Sequence, residues 1–109
     1  MFDLAGGNIN AITGEVVAQA SAAGDPLAKN ILGEASEMLA VWLSNMIDLL
    51  DPDVIVIGGG AAALYQPFFD QIRARVAKIT LNPRAMEVPI VSARYGADSG
   101  IAGGAALCA

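Results

Sequence analysis

Residues Leu50–Ala63 read LDPDVIVIGGGAAA, the most informative run in this 109-residue chain. Pro52 predicts the end of a helix, because the residue before a proline is pushed out of the α region. Residues Asp53–Ile57 do not alternate between apolar and polar, which is typical of a strand covered on both faces in a parallel or mixed sheet. The three glycines Gly58–Gly60 predict a tight turn, and the alanines after them can begin a helix. This order places backbone N–H groups where a nucleotide can bind.

Two helices are predicted before this run. Thr13 can cap the first, which should end near Ala23 with Gly24 just beyond it. Asp25 and Pro26 suit the N-cap and the first position of the second helix.

The second helix has the clearest pattern in the chain. Its apolar residues recur at three- and four-residue steps, which predicts a single buried stripe: Leu27, Ile31, Ala35, Met38, Leu39, Trp42, Met46 and Leu50. Leu43, Ile47 and Leu49 widen the stripe, so we expect the second half to be buried nearly all round. Asn45 falls within this apolar part. We predict a buried amide bonded to a neighbouring backbone group; the alternative is a contact with the glycine turn or its ligand.

After the glycine turn the pattern predicts a helix over Tyr65–Ile79, a strand over Val88–Ala93 and a glycine-rich helix over Gly100–Cys108. Asp98 is the natural N-cap of that last helix. Its glycines each cost about 1 kcal/mol relative to alanine, so we expect another backbone or a ligand to come close there. Two strands do not make a stable sheet alone. Either the chain is a piece of a larger α/β protein, which we favour, or it pairs with a second copy.

Composition excludes several classes of function. The net charge is −5 and there is no basic run, so we expect no direct contact with nucleic acid. The chain has no histidine and one cysteine, Cys108, which excludes a Cys/His zinc site and a histidine-dependent triad. A single cysteine favours a reducing compartment. The N-terminus does not resemble a signal peptide and no apolar run could span a bilayer, so we expect a cytoplasmic protein with no membrane partner.

The glycine turn admits three interpretations. It could be only a tight connection with small residues for close packing. It could be a dinucleotide fingerprint, since Gly58–Ala63 satisfies G-x-G-x-x-A; however, the next strand ends at Ala93 and Arg94, without the acidic residue that would hold a ribose. It could also be the adenosine-binding turn of the sugar kinase/actin/Hsp70 superfamily.

The third interpretation is favoured by a resemblance over nearly the whole chain. Gly24–Ala28 resembles the GD-x-A helix start of the ROK family (repressors, open reading frames and kinases). Leu50–Gly60 is similar to the family's L-x-P-x-x-I-x-x-G-G-G signature. Gly96–Ala106 resembles its closing G-x-D-A-G-x-x-G-A-A motif. The three motifs occur in the family's order and spacing.

The resemblance implies a fold and a site. The fold would be α/β: a partial ribonuclease H-like lobe of the actin/hexokinase superfamily, with few strands and flanking helices. Residues 1–109 would form a single, incomplete C-terminal lobe. The resemblance assigns the adenosine side of an ATP site to Gly58, Gly59, Gly60, Ala61 and Ala62, with ATP and Mg²⁺ as cofactors of the parent protein. Asp98 and Gly100 would hold the closing helix near this site, Asp98 by capping rather than by touching a ligand.

ROK kinases also carry an N-terminal phosphate loop, an aspartate base, a sugar motif and a cysteine-rich zinc motif, and this chain has none of them. We therefore predict no catalytic residue and no zinc site here, and sugar binding only through a missing N-terminal lobe. The expected function is the nucleotide-binding and dimerisation portion of an ATP-dependent, glucokinase-like ROK sugar kinase, not catalytic alone.

Two alternatives stay open: the same lobe of a sugar-responsive ROK transcriptional repressor, or a free-standing dimerisation module. The expected partner is the missing lobe or a second copy. We expect a homodimer, with the long apolar helix and the glycine-rich terminal helix as candidate interfaces.

Overall fold

The structure is a computed structural model that describes residues 1–109. It is mostly helical, with one two-stranded parallel sheet. The helices and strands are α1 (Gly14–Ala22), α2 (Pro26–Leu50), β1 (Ile55–Ile57), α3 (Ala62–Tyr65), α4 (Phe69–Ile79), β2 (Ile90–Ser92) and α5 (Ser99–Leu107). Short 3-10 turns cover Ile9–Ala11, Gln66–Phe68, Ala85–Glu87 and Gly96–Asp98. The mixed α/β class is confirmed, although both strands are shorter than predicted and the helix predicted from Tyr65 is divided by the turn around Pro67.

The predicted ends of the first two helices are confirmed. Thr13 accepts a hydrogen bond from the Val16 N–H at the start of α1. The Asp25 carboxylate accepts from the N–H groups of Leu27 and Ala28 at the start of α2. Gly24 joins the two helices at a φ of +98°, a conformation that favours glycine.

The main apolar stripe predicted for α2 is wrong in its choice of face, although Leu43 and Ile47, predicted to widen the stripe, are buried. The residues that α2 buries are Ala28, Leu32, Ser36, Ala40, Leu43, Ser44 and Ile47. Met38 and Trp42 from the predicted stripe are 70% and 57% exposed. Successive residues lie about 100° apart around a helix, so the two rows point to roughly opposite sides. The buried row contains alanines and serines, which let neighbouring helices approach closely, and the hydroxyls of Ser36 and Ser44 bond to α2's own carbonyls.

We call the exposed row Leu27, Ile31, Met38, Trp42 and Leu49 the outer face of α2. Asn45 is exposed as well, so the prediction of a buried amide is wrong. The second half of α2 is buried on one side only. A helix that is apolar on both sides is typical of one covered on both sides, and this chain covers only one of them.

The core lies between α2, α4 and β2. Its buried residues are Ala40, Leu43, Ile47, Phe69, Ile72, Val76, Ala85 and Ile90. Ile55 and Ile57 pack against this core, whereas Val56 between them is 58% exposed. The predicted parallel pairing is confirmed, but the helices of this chain cover only one face of the sheet. The strands pair in register, Ile55 with Ile90 and Ile57 with Ser92.

The glycines of the terminal helix α5 make no close approach to the rest of the chain. A Cβ built on Gly100, Gly103 or Gly104 would meet nothing within 4 Å, and α5 has no buried residue. The predicted side-chain cap is also wrong. Asp98 occupies the N-cap position but forms no capping hydrogen bond. The hydroxyl of Ser99 instead donates to the Gly96 carbonyl at 2.6 Å.

Asp48 ties the end of α2 to the segment after α4. Its carboxylate accepts hydrogen bonds from the Thr80 hydroxyl and from the N–H groups of Leu81 and Asn82. These bonds, the Thr80 hydroxyl first, hold the pKa of Asp48 below its ordinary value of 3.8. A carboxylate with a lowered folded-state pKa stabilises the fold above its unfolded-state pKa, and this contribution is lost as the pH falls through the folded-state pKa.

We expect Asp48→Asn to lower the melting temperature at pH 7 and to reduce the loss of stability on acidification below about pH 4. Melting curves by circular dichroism across that range measure both effects. Asp3→Asn is the matched control, because Asp3 is exposed and forms no ion pair. The residual acid sensitivity comes partly from Asp25, whose pKa is lowered chiefly by the Ala28 N–H. Equal curves for Asp48→Asn and the wild type would contradict the assignment.

Candidate functional site

A cleft of about 300 Å³ opens where the two parallel strands end. One wall is the glycine turn between β1 and α3, and the other is the loop between β2 and α5. The lining residues are Ile57, Gly59, Gly60, Ala62, Ala63, Gln66, Ser92, Ala93, Arg94, Gly96 and Ala97. The carboxyl edge of a parallel sheet is the usual place for a ligand in α/β proteins.

Two of the glycines, Gly58 and Gly59, hold the walls of this cleft together. Gly59 has a φ of +96°, which a larger residue adopts only with strain. Its N–H donates to the Gly96 carbonyl at 3.4 Å, joining the two walls. A Cβ on Gly58 would lie 3.0 Å from the Cβ of Ala93. Gly58 is therefore needed for close packing of the walls, which the simplest interpretation of the turn predicted.

Gly60 has a different environment. A Cβ built there would meet nothing within 4 Å, so the space above Gly60 belongs to the open cleft. None of the chain's backbone hydrogen bonds uses the N–H groups of Gly60 and Ala61. The N–H of Ala62, by contrast, donates to the Gly59 carbonyl. The turn thus offers two free backbone donors beside the open cleft.

The comparison with protein families shows which family the chain belongs to. A family model described as ROK family matches residues 3–109. The chain belongs to the ROK family. The motif resemblance predicted this membership, and the match covers nearly the whole chain.

Curated relatives of this ROK chain include a bifunctional enzyme and kinases named for N-acetyl-D-glucosamine. The bifunctional enzyme NanE/NanK of Brucella melitensis is 38% identical over 93 residues, which is 85% of this chain and 17% of the relative. The N-acetyl-D-glucosamine kinase of Yersinia pseudotuberculosis is 35% identical over 79% of this chain and 28% of the relative. The same-named kinase of Photobacterium profundum is 35% identical over 94% of this chain and 32% of the relative.

The ROK chain therefore spans less than a third of the length of these relatives. No solved structure gives a significant match to it. None of its helices combines the length and the apolar character needed to cross a membrane. Its Cys, Asp and Glu side chains form no group of three that could hold a metal ion.

Two of the three ROK motifs meet at the cleft. The glycine signature forms one wall, and the closing motif begins the other at Gly96 and Ala97. Of the predicted adenosine residues, Gly59, Gly60 and Ala62 line the cleft, Gly58 packs behind it and Ala61 precedes α3. The beginning of α5 comes close to the turn through Ser99, whose hydroxyl lies 3.5 Å from the position of a Gly58 Cβ. Asp98 and Gly100 do not line the cleft.

Sequence reasoning missed three polar residues of this ROK cleft: Gln66, Ser92 and Arg94. Ser92 and Arg94 lie at the end of β2, beside the glycine turn because the two strands pair in parallel. The sequence signal for Arg94 is its position directly after a predicted strand. By itself this position indicates only that the acidic residue of a dinucleotide site is absent. Gln66 follows α3 and carried no signal.

Proposed function

We propose that this chain is the nucleotide-holding part of the C-terminal lobe of an ATP-dependent ROK sugar kinase. The observation that carries the proposal is Gly60, at the end of a parallel strand, with open cleft above it and free N–H groups beside it. The names of the relatives support the kinase over the repressor, because they include N-acetyl-D-glucosamine kinases. That name also supports N-acetyl-D-glucosamine as the sugar that accepts the phosphoryl group in the whole protein. Glucose is the sugar with which to compare it.

The residues of the cleft fit the adenosine portion of ATP. Gly60 presents a surface without a side chain, on which a flat base and ribose can lie. The N–H groups of Gly60 and Ala61 can donate to the nucleotide, and Gly59 holds the turn in the shape that aims them. Bound ATP supplies the phosphoryl group that is transferred. No carboxylate lines the cleft, so we assign Mg²⁺ and the catalytic base to the rest of the protein.

The uncovered surfaces support an incomplete lobe of the ribonuclease H-like type spanning residues 1–109. The exposed face of β1 and the outer face of α2 are apolar surfaces that the chain does not cover. We assign the open sheet face, with Val54 and Val56, to the remaining lobe of the parent protein. We assign the outer face of α2 to a second copy, which makes the protein a homodimer.

We expect Gly60→Val to weaken the binding of both adenosine and ATP about tenfold or more, because a branched side chain fills the space above the turn. The fold should survive, since the new Cβ meets nothing within 4 Å. Isothermal titration measures the affinities, and thermal melting checks the fold.

Gly33→Val is the matched control, because Gly33 lies in α2, has the same free space around its Cβ and does not line the cleft. It should bind both ligands like the wild type. A wild-type chain that binds neither ligand would refute the proposal, and so would a Gly60→Val variant with unchanged affinities.

A further inference from the structure

Arg94 differs from the other three arginines of the chain. Arg73 pairs with Asp70, Arg75 with Glu37, and Arg84 with Asp51, Asp53 and Glu87. Arg94 forms no ion pair and no hydrogen bond, although the chain has 11 acidic and only 6 basic residues. In so acidic a chain, a guanidinium left without a carboxylate is free to bind another anion.

The position of Arg94 limits which anion that is. It directly follows β2 and is the only charged residue among those lining the cleft. Its guanidinium carbon lies 5.6 Å from the centre of the Tyr95 ring, a distance at which cation and ring attract each other. The neighbouring ring thus attracts the guanidinium, and Arg94 itself lines the cleft. No carboxylate lines the cleft to neutralise this charge.

We propose that Arg94 binds the phosphate chain of the nucleotide whose adenosine lies on the glycine turn. The inference rests on the proposed function, because it uses the same cleft. Gly60 and Arg94 lie on the two different walls, so one nucleotide can contact both. A guanidinium presents paired N–H donors that match two phosphate oxygens, and these charge-assisted bonds are among the strongest in proteins.

The test compares ATP with adenosine on the wild-type chain and on Arg94→Gln. The variant should bind ATP about tenfold or more weakly, and adenosine with unchanged affinity, because only ATP carries the phosphates. The affinity of the wild type for ATP should fall with added salt more steeply than that of the variant. Lys78→Gln is the control: it removes the same charge from a lysine on α4 that also forms no ion pair and does not line the cleft.

Each outcome separates the two proposals. A wild type that binds neither ligand refutes the proposed function and this inference with it. Binding of both ligands with no effect of Arg94→Gln refutes the role of Arg94 alone. Equal weakening for ATP and adenosine also refutes it, since that pattern indicates a contact with the base or support of the cleft. If Lys78→Gln weakens ATP binding as much as Arg94→Gln, the effect is one of general charge and the specific contact is refuted. Arg94→Lys, which keeps the charge, should retain more ATP affinity than Arg94→Gln.

Discussion

Replacing Ile47 by alanine is expected to lower the free energy of unfolding by about 2 to 5 kcal/mol. Ile47 is fully buried and belongs to the cluster that joins α2 to α4 and β2. Two effects add up. The removed methyl and methylene groups no longer bury apolar surface, and a cavity remains that the other residues of the cluster, among them Ile72 and Ile90, fill only in part. Urea unfolding of the two chains, followed by circular dichroism, measures the difference.

Met38→Ala is the control on the same helix. Met38 is 70% exposed on the outer face of α2, so its truncation should change the free energy of unfolding by no more than about 0.5 kcal/mol. The sequence pattern alone predicts burial at both positions, because Met38 belongs to the main apolar stripe and Ile47 widens it. A large loss for Met38→Ala with a small one for Ile47→Ala would show that α2 packs by its other face.

The second large effect is expected in assembly. Trp42→Glu should raise the dissociation constant of the proposed homodimer about thirtyfold or more, because a tryptophan buried in an interface commonly contributes about 2 kcal/mol or more and a buried unpaired carboxylate opposes association. Trp42 lies on the outer face of α2 with its side chain exposed. Light scattering coupled to size exclusion, over a series of protein concentrations, measures the change.

Met86→Glu is the matched control for assembly. Met86 is also a large exposed apolar residue, but it lies in the turn Ala85–Glu87 and outside α2. It should leave the dimer intact. A wild-type chain that stays monomeric at tens of micromolar would refute the homodimer, and a dimer indifferent to Trp42→Glu would refute the assignment of the interface to α2.

The candidate site was predictable in part. The glycine turn is visible in the sequence because three successive glycines follow an apolar strand. The structure places Gly59, Gly60 and Ala62 on the cleft wall. The second wall was not predictable from local pattern. Arg94 reaches the cleft only because β1 and β2 pair in parallel and end together, and that pairing joins residues more than thirty positions apart.

Sequence by itself determined the mixed α/β class, the ROK family, the caps at Thr13 and Asp25 and the glycine turn. The helix ends and the glycine turn depend on short-range chemistry: a side-chain oxygen next to free N–H groups, a proline that stops a helix, or a glycine that adopts a positive φ. The tertiary structure alone decided which side of α2 is buried. Both of its sides are apolar, and hydrophobic periodicity does not say which one meets α4. The structure buries the side that carries the small residues Ala28, Ala40 and Ser44, where neighbouring elements can pack closely.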